Sequence, residues 1–183
     1  MKRIDIIRRI AAKQGLIVAN IGFPARELFS VQDRPENFYM LGSMGLASSI
    51  GLGLAMSQSK PVYVIDGDGA LLMNLGSLTT IAREAPPNLC LIIIDNGVYG
   101  STGNQPTARA DDTDIAALAR AAGCRNVVEA KDEQQLGNAL AGFSSGLSVI
   151  VVQAEAGNAD VPVIDLSPVE IKNRFMQHLT GCP

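Results

Sequence analysis

The chain has no tryptophan, and only three tyrosines and five phenylalanines among 183 residues. Any core must therefore be built from aliphatic side chains. Its single histidine, His178, lies near the C-terminus, far in sequence from every motif described below. Histidine-based acid–base or metal chemistry is thus nearly excluded. Cys90, Cys124 and Cys182 are odd in number, widely separated and without a CxxC pair, which argues against a disulfide framework or a cysteine metal cluster. Such usage fits a reducing cytoplasm. Nothing in the sequence approaches the ~20 apolar residues of a membrane span. The stretch Met1–Arg9 is basic but has no continuous apolar segment, so it does not read as a secretory leader. A net charge of −3, with no cluster of Lys and Arg and no series of aromatics, leaves nucleic acid without a footprint. No GxGxxG follows the first apolar segment, so dinucleotide binding has little support.

What is present is aliphatic and regularly organised. With 47% hydrophobic and 18% charged residues, residues 1–183 read as a single well-buried domain. Ile4, Ile7, Ile10 and Ala11 recur at helical spacing and predict a helix over 2–14. Short apolar runs at 16–19, 38–41, 62–65, 89–94, 126–129 and 147–152 read as strands. Helices are expected at 44–57, 73–84, 113–122, 133–143 and 169–179, with a short one after the Gly22/Pro24 turn and through Leu28. The runs at 62–65 and 89–94 are apolar throughout, as in parallel strands covered on both faces. Regular alternation of strand and helix predicts a doubly wound, three-layer α/β sandwich with a mainly parallel sheet. The glycines of the 44–57 helix, Gly45, Gly51 and Gly53, each cost about 1 kcal/mol of helix propensity; close packing on the sheet or a ligand would offset that. Residues 96–112 form a long polar loop, and such length marks a functional segment.

The chemistry concentrates at the carboxyl ends of two strands. Asp66-Gly67-Asp68-Gly69 closes the run at 62–65, and Asp95-Asn96-Gly97 closes the run at 89–94, with twenty-six residues between Gly69 and Asn96. Open parallel sheets bind ligands at strand carboxyl ends. Hard oxygen donors beside glycines that expose backbone N–H groups suit a diphosphate held through Mg²⁺. Asp68 would supply a carboxylate and Asn96 an amide oxygen, while Gly69 and Ala70, at a helix start, present N–H groups to phosphate. Asp66 stays open between ligand and structural carboxylate. The alternative for Asn96-Gly97 is a plain tight turn.

GDG followed at this distance by Asn resembles the cofactor motif of thiamine diphosphate enzymes of the decarboxylase branch. The stretch Asp95-Asn96-Gly97-Val98-Tyr99-Gly100-Ser101-Thr102-Gly103-Asn104-Gln105-Pro106-Thr107 is similar to the loop of sulfopyruvate and phosphonopyruvate decarboxylases. Asn20-Ile21-Gly22-Phe23-Pro24 and Phe38-Tyr39-Met40-Leu41-Gly42-Ser43-Met44-Gly45 agree with it, so the likeness runs from near the N-terminus to about Val152. It is nearest to the β-subunit group of the sulfopyruvate enzymes.

This resemblance implies thiamine diphosphate and Mg²⁺ as cofactors, the metal resting on Asp68, Asn96 and the backbone carbonyl of Val98. Gly22, Phe23, Gly67, Gly69, Ala70 and Tyr99 would line the cofactor. Gly42 would accept from the aminopyrimidine amine, beside Ser43. Met44 would wedge between the two rings and bend the cofactor, bringing the amine to the thiazolium C2 proton. An unbranched, polarizable side chain suits that gap; the alternative is a core methionine at a helix start. The tautomerising glutamate of such enzymes comes from a separate pyrimidine-binding domain, for which 183 residues leave no room. The expectation is half an active site, completed by an α subunit in a hetero-oligomer. The implied substrate is a small 2-oxoacid with a sulfonate or phosphonate, and the implied reaction gives sulfoacetaldehyde and CO₂ in coenzyme M biosynthesis. Ser101, Thr102, Asn104, Gln105, Arg26 and Arg109 are candidates for its second anion. A phosphonopyruvate decarboxylase subunit, or another split thiamine enzyme such as a 2-oxoacid:ferredoxin oxidoreductase β subunit, is the alternative. The absent cysteine clusters and the GSTGNQPT loop argue against the last.

Overall fold

Helices cover both sides of a six-stranded sheet, burying its central strands fully and leaving the edge strand at 127–130 partly exposed. The computed structural model describes residues 1–109 and 113–181. Its strands are β1 (Leu16–Ala19), β2 (Asn37–Tyr39), β3 (Val62–Gly67), β4 (Leu89–Asp95), a short antiparallel ribbon of β5 (Val98–Tyr99) and β6 (Gln105–Pro106), then β7 (Val127–Ala130) and β8 (Ser148–Gln153). The main sheet has the order β2-β1-β3-β4-β8-β7 and every pairing in it is parallel. All seven residues of β4 are buried, as its unbroken apolar run predicts.

Side chains alternate between two cores. Val18, Val64, Leu91 and Val149 face one core, with α3 (Ala47–Ser57), α4 (Asp68–Met73), α5 (Ser77–Glu84) and α6 (Ile115–Ala121). Ile17, Ile65, Ile92 and Ile150 face the other, with α1 (Arg3–Ala11), α2 (Phe23–Val31) and α7 (Glu133–Gly142). Helix α8 (Pro168–Thr180) packs beside β2 and sends Ile171 into one core and Phe175 into the other. After β1 the chain moves outward to β2, then returns across β1 to β3. The helices following β1 and β3 consequently lie on opposite faces, opening a crevice at this switch point.

Several expected boundaries shift. The helix expected at 73–84 is two helices, broken at Asn74–Gly76, and the first begins at Asp68, inside the GDG motif. The helix expected from residue 44 begins at Ala47; Ser43 at φ 58° and Gly45 at φ +94° turn the chain before it. The 96–112 loop contains the β5–β6 ribbon, and its residues 110–112 lie outside the described residues, as does Cys182. Cys90 and Cys124 are buried and unpaired. In α1 the buried face is Ile6, Ile7 and Ile10, with Ile4 only half-buried. No helix among the described residues is long and apolar enough to cross a membrane.

The glycines of α3 separate into two kinds. A Cβ on Gly51 would overlap Cγ2 of Val64, so α3 sits on β3 at backbone distance. A Cβ on Gly53 would meet nothing within 4 Å. Gly51→Ala should therefore destabilise the fold by about 1–3 kcal/mol through overpacking. Gly53→Ala should be neutral or stabilising by up to about 1 kcal/mol. Urea unfolding of the two variants checks this, and equal shifts would contradict the packing account.

Candidate functional site

The crevice at the switch point holds a cavity of about 340 Å³, within the range of small-molecule sites. Three strand ends build it. From β3 come Asp66, Gly67, Asp68, Gly69 and Ala70; from β4, Ile94, Asn96 and Val98 to Thr102; from β1, Asn20 to Pro24. Met44 closes one side. Ten of the residues singled out in the sequence thus meet around one space: Gly22, Phe23, Met44, Gly67, Asp68, Gly69, Ala70, Asn96, Val98 and Tyr99. Gly42 and Ser43 lie apart from it, on a neighbouring groove with Phe38, Ile50 and Ile171. Met44 is 38% exposed, which removes the reading of it as a core methionine.

Glycine at two wall positions is required by space. A Cβ on Gly69 would overlap the Tyr99 ring and lie 2.9 Å from Thr107 Cγ2. Gly22 has φ +90°, and a Cβ there would lie 2.5 Å from Ser101 Oγ. A Cβ on Gly67, by contrast, would enter open space, so backbone lies bare against the cavity there.

The charge of the site is negative and buried. Asp68 is 1% exposed and one of its oxygens accepts from Thr107 Oγ1 at 2.6 Å. Asp66 is fully buried; Oδ1 accepts from the Gly67 N–H at 2.9 Å, while Oδ2 has no protein partner. Burial pushes the Asp66 carboxyl up to about 7, with nearby Asp68 adding to the rise. Asp95 is also raised by burial, opposed by Arg109, whose Nε lies 3.0 Å from Oδ2. Asp95 Oδ1 has no partner among the described residues. Such a cluster is costly without a compensating cation. Among the described residues, no three His, Cys, Asp or Glu side chains gather as a metal site. A divalent ion would rest instead on the Asp68 carboxylate, the Asn96 amide oxygen and the Val98 carbonyl, completed by phosphate and water oxygens, a donor set that suits Mg²⁺. The Asn96 oxygen also accepts from Val98 N–H at 3.3 Å, so the tight turn and the ligand role are compatible.

Candidates for a substrate anion divide. Ser101 and Thr102 line the cavity. Gln105 instead locks the ribbon turn through Thr102, at 2.8 and 2.9 Å, and Asn104 occupies that turn at φ 59°. Arg26 stacks on Phe23, 4.6 Å from the ring centroid, and donates to the carbonyls of Val161 and Pro162. Arg109 lines a separate cavity of about 200 Å³. His178 sits beside Lys60, 3.0 Å from its amine, and lines none of the cavity. Sequence reasoning missed Arg3, the one cationic side chain in the wall among the described residues. It is buried, forks onto Glu27 at 2.8 and 2.9 Å and donates to Asn158 at 2.9 Å. Its partners are 24 and 155 positions away, and no local pattern marks them. Thr107 ends the recognised loop, but its partner Asp68 could not be read there. Asn20 stood in the recognised Asn20–Pro24 stretch, without a role of its own.

Comparison with known proteins agrees with this geometry. The model of the family "thiamine pyrophosphate enzyme, C-terminal TPP binding domain" matches residues 20–153. The sulfopyruvate decarboxylase subunit beta of Methanothermobacter thermautotrophicus is 48% identical over 183 residues, covering 99% of this chain and 97% of that one. The sulfopyruvate decarboxylase of Methanosarcina acetivorans is 44% identical over 98% of this chain but only 47% of its own length. Among solved structures, the 2-oxoglutarate:ferredoxin oxidoreductase from Magnetococcus marinus superposes with a TM-score of 0.66 at 16% identity, over 86% of this chain and 64% of that one. That likeness concerns the fold alone. With the matched segment running from the end of β1 to the end of β8 and containing nearly all of the cavity wall, the chain belongs to the thiamine pyrophosphate enzymes, as their C-terminal TPP-binding domain.

Proposed function

We propose that this chain is the diphosphate- and Mg²⁺-binding subunit of a thiamine-dependent decarboxylase acting on 3-sulfopyruvate, forming sulfoacetaldehyde and CO₂ on the route to coenzyme M. The observation that carries the reading is the convergence of the GDG turn, the DNG turn and the Gly22 turn on one cavity. Residues 1–183 act as one domain in it, in the reducing cytoplasm that buried, unpaired Cys90 and Cys124 suit.

Each residue has a defined task. Bare backbone at Gly67, with the N–H groups of Gly69 and Ala70, receives the diphosphate. Asp68, Asn96 and the Val98 carbonyl would hold Mg²⁺. Gly22, Phe23 and Tyr99 would wall the cofactor, and Gly42 with Ser43, on the neighbouring groove, would meet only its pyrimidine end. Met44, exposed at the mouth, would pack against the cofactor as the wedge. When bound, thiamine diphosphate supplies the electron sink for the carbanion left by CO₂. Ser101 offers a hydroxyl donor to the second anion of the substrate, whereas the Thr102 hydroxyl proton goes to Gln105 Oε1.

Among the described residues, those that line this cavity include two acids, Asp66 and Asp68, and no glutamate to face the pyrimidine. An α subunit carrying a pyrimidine-binding domain would supply it, in a hetero-oligomer. Two likenesses support this: the Methanothermobacter relative is called a subunit, and the Methanosarcina relative carries a further stretch of about equal length outside the match.

Asp68→Ala should abolish Mg²⁺-dependent thiamine diphosphate binding while leaving circular dichroism unchanged; Asn96→Ala should weaken it less, because it removes a neutral ligand. Calorimetric titration of the assembled enzyme reads this, and wild-type affinity in Asp68→Ala would remove the metal assignment. Met44→Ala should keep the cofactor and lose turnover by about 100-fold or more, as expected when reacting groups lose their alignment. The direct readout is C2 proton exchange of bound cofactor by NMR, which should slow in parallel; an unchanged rate would show that Met44 sets no geometry. Finally, the chain alone should not decarboxylate sulfopyruvate, and activity should appear on co-expression with a pyrimidine-domain partner. Robust turnover by the lone chain would refute the half-site, whereas partner-dependent turnover of phosphonopyruvate only would keep the mechanism and change the substrate.

A further inference from the structure

We infer that Thr107 is a positioning residue for the cation site. Its hydroxyl orients the Asp68 carboxylate and ties the GDG turn to the DNG loop. The inference rests on the assignment of Asp68 to Mg²⁺ and names a residue to which neither that assignment nor the sequence reading gives a role.

The contact is short, buried and of one polarity. Thr107 Oγ1 lies 2.6 Å from Asp68 Oδ2, with Thr107 7% and Asp68 1% exposed. A length of 2.5–2.7 Å is typical of a hydroxyl donating to an ionised carboxylate. A carboxylate can only accept, so the single Thr107 hydroxyl proton is committed to Asp68. Among the described residues that is the one hydrogen bond of the Asp68 side chain, and it engages Oδ2. One oxygen fixes the rotamer while the other is available to a cation.

Thr107 is itself held from two further directions. Its N–H donates to the Gly97 carbonyl at 2.9 Å, and its methyl approaches Gly69, where a Cβ would lie 2.9 Å from Cγ2. Pro106, one residue before, pairs with Val98 across the ribbon. The 98–106 ribbon thus brings Thr107 back beside the turn that carries Asn96. Asp68 from one strand end, and Asn96 with Val98 from the other, become parts of one hydrogen-bonded unit. Partners that orient metal ligands are commonly worth 10–100-fold in metal affinity.

The test uses the full chain assembled with its partner subunit, comparing wild type, Thr107→Val, Thr107→Ser and Thr107→Ala. Thiamine diphosphate binding is followed by calorimetry over a Mg²⁺ series, and thermal unfolding is measured without cofactor or metal. Thr107→Val keeps the methyl packing and removes the donor, so half-saturation should need about 10–100-fold more Mg²⁺. Thr107→Ser keeps the donor and should restore near-wild-type Mg²⁺ dependence. Should Thr107→Val fail to assemble, Thr107→Ala is the second variant without a hydroxyl, and the same shift is expected of it. Loss of thermal stability with an unchanged Mg²⁺ requirement would make Thr107 merely structural and overturn the inference. A wild-type complex that takes up no cofactor at any Mg²⁺ concentration would remove the underlying assignment and this inference with it. A shift-free hydroxyl-less variant against a binding wild type removes this inference alone.

Discussion

Three carboxylates, Asp66, Asp68 and Asp95, are buried at the carboxyl ends of adjacent strands β3 and β4, and the surrounding chain is arranged around the cost of keeping them there. Water would solvate them at no cost; the strand ends withhold it. Each finds partial relief from a different source: a backbone N–H for Asp66, a hydroxyl for Asp68, a guanidinium for Asp95. Two oxygens are left over, one on Asp66 and one on Asp95. Mutual repulsion among such groups in a weakly polarisable setting is what a bound cation offsets.

The same logic explains the division of labour among the cations. Arg109 is spent on Asp95, and Arg26 on carbonyls and an aromatic face. Arg3 reaches the cavity wall, but with its charge matched by Glu27 behind it. Guanidinium is suited to this duty, since its planar fork satisfies a carboxylate in two places at once. The wall gains a rigid donor array without a net positive charge that would compete with a metal.

How much of this was legible in the sequence depends on whether the signal was local. Strands β3 and β4 were plain, because burial on both faces forces unbroken apolar runs. The GDG and DNG turns were plain because they follow those runs directly. The helix break at Asn74–Gly76 was hidden: Leu71, Leu75 and Leu78 keep a helical spacing across it, although Asn and Gly are familiar punctuation. The true start of α3 was hidden because left-handed Ser43 and Gly45 leave no mark in an apolar stretch. Contacts between distant segments, such as Arg3 with Glu27 and Thr107 with Asp68, follow from topology and have no signature in either neighbourhood.

That topology also sets when the site can come into being. Its walls belong to β1, β3 and β4, whose pairings are all parallel and bridge long stretches of chain, for instance Leu16 with Val62 and Val62 with Leu89. Closing such loops costs entropy before any contact repays it, which places parallel pairing late and makes it slow. A chain in which only β3, β4 and their crossover helices have formed would own the acidic turns without the Gly22 wall. The ligand pocket therefore exists only where both of these long-range pairings have closed.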